Sequence, residues 1–151
     1  MNILFVCTGN TCRSPMAQGI LQDMAQKKGL DIKVKSAGIY ALDGQSPSTN
    51  AIKVLKSDNI DINNHRASIV HRDLLEEADL ILTMGNSHKE ILISKFDFIK
   101  DKIYTLKEFS YGVKEDIVDP FGGDINVYNN TKNELYNALE KIIEKLMKGE
   151  Y

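Results

Sequence analysis

Apolar and polar positions follow two patterns along the chain, one typical of buried strands and the other of amphipathic helices. Short apolar runs at residues 2–6 and 80–84 predict buried strands. Residues 32–39 begin with the alternation of a strand, and residues 103–106 predict a weaker fourth strand. Because helical patterns separate these strands, the sequence predicts an α/β fold with right-handed crossovers and a parallel sheet covered by helices on both faces.

The clearest early helical pattern follows the first predicted strand. Apolar residues recur on one face from Met16 to Ala25, and Gly29 is a stop signal after them. Ser14 is the predicted N-cap of this helix, with Pro15 at its first position. Shorter helices are predicted at three further places: residues 49–58, 72–78 and 87–94.

The C-terminal part of the chain combines a predicted long loop with a strongly amphipathic helix. We predict one connection over residues 107–123, and connections of this length are usually functional or disordered. Thr131 and Glu134 have the spacing of a capping box that starts the last helix, and apolar residues then recur as far as Leu146. With no linker or internal repeat in the sequence, residues 1–151 are predicted to form a single domain.

Composition narrows the possible partners. The chain has a net charge of −2, with 42% hydrophobic and 26% charged residues, so we expect no nucleic-acid partner and no membrane partner. No apolar stretch is long enough to span a bilayer, and the first residues are typical of a buried strand rather than of a secretory leader. We therefore expect a cytoplasmic protein, and we expect it to be a monomer.

Residues 7–14, Cys-Thr-Gly-Asn-Thr-Cys-Arg-Ser, lie between the first predicted strand and the first predicted helix. This is the carboxyl end of a parallel strand, where such sheets bind their ligands. Backbone N–H groups and the helix N-terminus would face an anion there and would favour the thiolate of Cys7. Arg13 would bind two oxygens of a phosphoryl group with its planar guanidinium. The segment therefore predicts a phosphate-binding loop with a nucleophile at its base.

Other residues of the loop fit the same chemistry. Gly9 lets the backbone approach an anion, and Asn10 tolerates a left-handed conformation. Ser14 can donate a hydrogen bond to the Cys7 sulfur and help it leave when a phospho-cysteine breaks down. The alternative is that Cys7 is only a small buried hydrophobe, but its combination with Arg13 and Ser14 favours catalysis.

Phosphoryl transfer also needs a proton donor for the leaving group, and residues 7–14 supply none. Asp119 is the best candidate, because it lies in the predicted long loop between a rigid Pro120 and a mobile Gly122-Gly123 pair. On its own, the run Asp-Pro-Phe-Gly-Gly is typical of a surface turn. Together with the Cys7 loop, it predicts that Asp119 is the general acid.

The spacing of Cys7, Arg13 and Ser14 near the N-terminus, with Asp119-Pro120 about a hundred residues later, resembles the low-molecular-weight protein tyrosine phosphatase family. The resemblance covers essentially the whole chain and implies a single-domain three-layer sandwich around a four-stranded parallel sheet. It also implies hydrolysis of phosphorylated proteins with no metal and no other cofactor. In such a reaction Cys7 attacks phosphorus to form a phospho-cysteine, and Asp119 protonates the leaving group and then activates water.

The resemblance further implies which residues support this reaction. Asn10, Ser14, Ser36 and His65 match the hydrogen-bond network of the family, although a surface or locally paired histidine is an equal alternative for His65. The short segment Ser36-Ala37-Gly38 is itself similar to a short segment of that family. The residues implied to bind or support the phosphate are these: Thr8, Gly9, Asn10, Thr11, Cys12, Ser14 and Ser36.

Thr11 and Phe121 are the candidate specificity residues. Tyrosine phosphatases of this family commonly carry a larger aliphatic residue in place of Thr11, and the loop here is most similar to the bacterial protein-arginine phosphatase branch. A Thr hydroxyl can accept a hydrogen bond from the guanidinium of phosphoarginine, whereas an aliphatic side chain cannot. Phe121 offers a flat wall to either substrate. The sequence therefore favours phosphoarginine as the substrate, with phosphotyrosine as the alternative. The competing interpretation of Thr11 itself is a solvated loop residue that has only a backbone preference.

The cysteine content bears on the competing functions. The three histidines and two cysteines lack zinc-type spacing, so we expect reduced thiols and no metal. Cys12 is either a packed thiol or the partner of Cys7 in a reversible regulatory disulfide. A thiol-dependent arsenate reductase would need further cysteines. A phospho-cysteine carrier would need neither Arg13 nor Asp119, and a non-catalytic phosphate-binding module would lack the nucleophile or the acid.

Overall fold

Four short strands form one parallel sheet in the computed structural model, which describes residues 1–151. All four predicted strands are confirmed: β1 (Asn2–Cys7), β2 (Lys33–Gly38), β3 (Leu80–Thr83) and β4 (Ile103–Thr105). Their order across the sheet is β2-β1-β3-β4, so β1 is paired on both sides. The direction of winding reverses between β1 and β3, and the crevice at such a reversal is where open α/β sheets bind ligands.

Helices cover both faces of this sheet. Their bounds are α1 (Arg13–Lys27), α2 (Thr49–Lys56), α3 (Arg72–Glu77), α4 (Asn86–Lys95), α5 (Leu106–Tyr111) and α6 (Ile125–Lys148), with a 3₁₀ turn at Asp97–Ile99. Alternate side chains of β1 enter two separate apolar clusters: Ile3 and Phe5 pack with α1, α2 and α6, while Leu4 and Val6 pack with α3 and α4. The predicted three-layer architecture is therefore confirmed. No helix, the long α6 included, combines the length and apolar character that crossing a bilayer needs.

The prediction of one loop over residues 107–123 is wrong in its first part, because α5 occupies residues up to Tyr111. Thr105 and Glu108 form a capping box: the Glu108 N–H donates to Thr105 Oγ1 (3.1 Å), and the Thr105 N–H donates to Glu108 Oε1 (2.9 Å). Helix α5 follows β4 with no residue between them, and its first residue, Leu106, was included in the predicted strand over 103–106. Gly112 ends it with φ at 71°, so the true loop runs over residues 112–124.

The predicted capping box at Thr131 is also wrong. Asp124 is the N-cap of α6, and its carboxylate accepts a hydrogen bond from the Val127 N–H (3.0 Å). Thr131 is buried inside the helix and donates from Oγ1 to the carbonyl of Val118 at 3.4 Å. Glu134 forms an ion pair with Lys107 instead of capping. The threonine therefore fastens α6 to the residue before Asp119.

Candidate active site

The Cys7 sulfur lies at the end of β1, buried beneath the loop of residues 8–12. The Asn10 N–H donates to Sγ at 3.3 Å, and Ser14 Oγ lies 2.8 Å from it. Asn10 Nδ2 also donates to Ser14 Oγ (2.8 Å), which occupies a lone pair of that oxygen and leaves its proton for the sulfur. Two donors thus face Cys7 in an arrangement that stabilises negative charge on sulfur.

The prediction that Ser14 caps α1 is wrong, because the helix begins two residues before the predicted first residue Pro15, at Arg13. Cys12 holds the N-cap position and makes no side-chain capping bond. The Ser14 hydroxyl faces the Cys7 sulfur instead, so the structure agrees with the other role predicted for it.

Asn10 organises the inside of the loop. It has φ at 57°, the left-handed conformation that the sequence predicts, and it is fully buried. Its amide donates to Ser36 Oγ (2.9 Å) as well as to Ser14, and its Oδ1 accepts from the Ser68 N–H (3.0 Å). His65 Nε2 contacts the Asn10 carbonyl at 2.9 Å. The structure therefore brings Ser36 and His65 to the loop, as the resemblance implies.

His65 and Gly38 hold the loop from outside. Burial lowers the pKa of the His65 imidazole, while its bond to Asn10 acts in the opposite direction. Since a carbonyl can only accept, His65 Nε2 carries the hydrogen of this bond. A Cβ on Gly38 would lie 2.6 Å from the Thr8 carbonyl and 2.9 Å from Asn10 N, so only glycine allows β2 to approach the loop. At Gly9, by contrast, a Cβ would meet only Thr11 Oγ1 at 3.8 Å, so protein packing does not require glycine there.

Replacing Asn10 with alanine is expected to lower the free energy of unfolding by about 3 kcal/mol, because it leaves buried donors and acceptors unpaired and strains the left-handed backbone. Asn59→Ala is a matched control: Asn59 also has positive φ, at 62°, but is exposed. Urea unfolding of both variants measures the difference. Equal losses in the two variants would mean that the buried network contributes nothing.

Arg13 joins the loop to residues 112–124. Its guanidinium is buried, with Nη1 donating to the Ile117 carbonyl at 3.0 Å and Nη2 lying 3.6 Å from Asp119 Oδ2. Two contacts anchor the segment to the end of β3: the Ile117 N–H donates to the Met84 carbonyl (2.8 Å), and Asp116 Oδ1 accepts from the Asn86 N–H (2.9 Å). Asp119, more than a hundred positions from Cys7 in sequence, is thus held over the loop with its side chain half-exposed.

One cavity of about 290 Å³ contains the predicted nucleophile, the predicted acid and both candidate specificity residues. Its lining is Cys7, Thr8, Gly9, Thr11, Cys12, Arg13, Gln45, Asp119 and Phe121. Phe121 is 81% exposed, as expected for a wall at the mouth of the cavity. Asn10, Ser14 and Ser36 are not in this lining, so they support the loop from behind. A larger groove beside α1, of about 480 Å³, includes His65 but none of the residues proposed to react.

Sequence reasoning missed three residues around this cavity: Gln45, His88 and Tyr128. His88 Nε2 lies 2.9 Å from Thr8 Oγ1, and Tyr128 Oη lies 3.3 Å from Cys12 Sγ. The position of His88 just after β3 was a usable signal, because the carboxyl ends of neighbouring parallel strands meet at one edge. Nothing local to Gln45 or Tyr128 pointed to the site. Both cysteines are free and buried, and Cys12 packs against Tyr128.

Comparison with known proteins finds relatives over nearly the full chain. The family model of the low molecular weight phosphotyrosine protein phosphatases matches residues 2–150. A protein-arginine-phosphatase of Bacillus subtilis (strain 168) is 42% identical over 148 residues, which are 98% of each chain. A low molecular weight protein tyrosine phosphatase of T. tengcongensis is 46% identical with a TM-score of 0.93, over 96% of this chain and 99% of that one. A variant of the arginine phosphatase YwlE with a phosphorylated active-site serine is 41% identical with a TM-score of 0.96, over 98% and 97%.

Proposed function

The chain belongs to the low molecular weight phosphotyrosine protein phosphatase family, and from this premise we propose that it is a cysteine-dependent protein phosphatase whose substrate is phosphoarginine. The observation that carries the proposal is that Cys7, Arg13, Asp119 and Thr11 line one cavity. Nucleophile, anion-binding group, proton donor and a polar specificity residue are therefore within reach of one bound phosphoryl group.

The first step is attack of the Cys7 thiolate on phosphorus. The S–P bond forms while the bond from phosphorus to the leaving group breaks. This is the P–N bond in phosphoarginine and the P–O bond in phosphotyrosine. Arg13 binds two equatorial oxygens and balances their charge. The hydrogen bond from Arg13 Nη1 to the Ile117 carbonyl, at 3.0 Å, holds the guanidinium in position for this role. Asp119 delivers its proton to the leaving nitrogen or oxygen as that bond breaks.

The second step is hydrolysis of the phospho-cysteine. Asp119, now a carboxylate, takes a proton from water as the water oxygen attacks phosphorus. The S–P bond breaks and the electron pair returns to the Cys7 sulfur, giving inorganic phosphate and free enzyme. Ser14 Oγ, 2.8 Å from that sulfur, donates the hydrogen bond that stabilises the departing thiolate.

The preference for arginine is supported by the free hydroxyl of Thr11. Its one polar contact is a weak one of 3.7 Å to Cys12 Sγ, so its lone pairs are available to a guanidinium N–H. The B. subtilis relative is named a protein-arginine-phosphatase, in agreement with this assignment. Phosphotyrosine is the second candidate, because Phe121 offers a wall suited to a phenyl ring and the T. tengcongensis relative is a tyrosine phosphatase. We further propose that the protein acts on phosphorylated proteins in the cytoplasm and that it acts as a monomer.

Three substitutions at one position separate the two substrates. Thr11→Val, which removes the hydroxyl but keeps the shape, is expected to lower kcat/KM for phosphoarginine peptides by about tenfold or more, since a hydrogen bond to a charged group is worth about 1.5–3 kcal/mol. Thr11→Ile is expected to move the preference further toward phosphotyrosine peptides. Thr11→Ser retains the hydroxyl and is the control. If the wild-type enzyme prefers phosphotyrosine, the arginine assignment fails and the phosphatase assignment stands.

A further inference from the structure

His88 is a buried group next to the site that the two-step reaction does not use. It lies in α4, is 7% exposed, and makes a single hydrogen bond, from Nε2 to Thr8 Oγ1 at 2.9 Å. Its other nitrogen, Nδ1, is buried without any hydrogen-bond partner. Buried polar atoms are nearly always paired, so an unpaired ring nitrogen beside an active site requires an explanation.

The unpaired Nδ1 determines the tautomer. If Nδ1 carried the hydrogen, a buried N–H donor would be left unsatisfied, which is rarer in proteins than an under-used acceptor. The favoured tautomer therefore has its hydrogen on Nε2, which donates to Thr8 Oγ1. Because Thr8 then accepts from His88, its own O–H remains available as a donor.

Burial, together with the nearby Arg13 guanidinium, favours the neutral form of the His88 ring. Burial lowers the pKa of His88, and the guanidinium of Arg13 lowers it further, while Asp116 and Asp119 act in the opposite direction. A protonated ring would place an unsatisfied N–H at Nδ1 and a positive charge beside Arg13. The neutral form with hydrogen on Nε2 is thus the form that leaves no buried N–H of the ring unpaired.

Thr8 lines the cavity and directly follows Cys7. A hydroxyl that accepts from a fixed donor on its protein side turns its hydrogen toward the open side. We propose, on the basis of the phosphatase function above, that the Thr8 hydroxyl donates a hydrogen bond to a phosphoryl oxygen of the substrate and that His88 is the positioning residue that orients it.

Competitive inhibition by inorganic phosphate tests this assignment, because phosphate has no leaving group and reports only on the anion site. Thr8→Val is expected to raise the Ki of phosphate about tenfold, the effect of losing one hydrogen bond to a charged group. Thr8→Ser keeps the hydroxyl and is expected to keep the Ki within about twofold of wild type. An unchanged Ki in Thr8→Val would overturn the proposal.

The role of His88 is tested by a double-mutant cycle. His88→Leu is expected to raise the phosphate Ki about threefold, since the Thr8 hydroxyl is retained but must be ordered on binding. In the Thr8→Val background His88→Leu is expected to leave the phosphate Ki unchanged. With Thr8 present, His88→Gln supplies an N–H in place of the imidazole and is expected to bind phosphate more tightly than His88→Leu. A purely structural role would lower the melting temperature and raise Ki equally in both backgrounds, which would contradict the assignment.

The same assay separates this proposal from the one on which it rests. If wild-type enzyme neither hydrolyses phosphorylated peptides nor is inhibited by phosphate, the phosphatase assignment fails. If the wild-type enzyme is active and inhibited while the Thr8 and His88 variants match it, only the roles of Thr8 and His88 fail.

Discussion

Replacing Cys7 with serine is expected to reduce turnover by at least about 10⁴-fold, as removal of a catalytic nucleophile does in other hydrolases, while the protein continues to bind inorganic phosphate. A serine hydroxyl is not ionised at neutral pH, and no side chain near Cys7 is placed to act as its base: the contacts to the sulfur are the donors Ser14 and the Asn10 N–H. The anion site is otherwise intact in this variant. Steady-state kinetics measures the loss, and calorimetric titration with phosphate measures the binding.

Cys12→Ser is the matched control for this experiment. Cys12 belongs to the same loop and is also buried, but its sulfur contacts Tyr128 and Ser48 rather than the donors around Cys7. We expect its loss of activity to stay within about tenfold, the range of a perturbed but unreactive group. Comparable losses in the two variants would show that loop packing, not nucleophilic attack, explains the effect at Cys7.

Asp119→Asn is expected to lower kcat/KM by about 10²- to 10⁴-fold for substrates with basic leaving groups. Phosphoarginine should show the largest loss, because its guanidine leaving group must be protonated as the P–N bond breaks. A substrate with an acidic leaving group, such as p-nitrophenyl phosphate, should lose far less. The ratio of the two losses, measured with the same enzyme preparation, reports the proton transfer itself.

Asp116→Asn supplies the control for Asp119. Both residues belong to the 112–124 loop, but Asp116 accepts from the Asn86 N–H and is absent from the cavity lining. Its substitution is expected to loosen the loop and to slow all substrates by a similar factor. A leaving-group dependence as strong for Asp116 as for Asp119 would contradict the assignment of the acid. The Asp119–Arg13 pair is half-exposed on the Asp119 side, so Asp119→Asn should change the free energy of unfolding by no more than about 1 kcal/mol.

Local patterns were sufficient where the structure depends on neighbours in sequence. The strands of the sheet and the long amphipathic face of α6 are confirmed because their apolar periods extend over enough residues. Helix α5 was missed because it follows β4 directly, so that its first residue, Leu106, was included in the predicted strand. Thr131 and Glu134 have a capping spacing, but the helix had already begun at Asp124, and both side chains bond to other elements.

The Cys7 loop was predictable from sequence because its hydrogen-bond donors, thiol and guanidinium belong to one continuous segment of 8 residues, 7–14. Predicting such a loop requires only the spacing of its own residues and the patterns of the strand before it and the helix after it. The role predicted for Asp119 required the Cys7 loop as context, since the run around Asp119 alone is typical of a surface turn.

What the sequence by itself determined is therefore the fold class, the Cys7 loop and the class of reaction. Tertiary structure alone decided how the 112–124 loop is anchored at Met84 and Asn86, why Gly38 must lack a side chain, and that His88 contacts Thr8 across 80 residues. The physical reason is that these contacts depend on which strand ends meet at one edge of the sheet. Strand order is set by packing of the whole chain, and no local pattern of residues contains it.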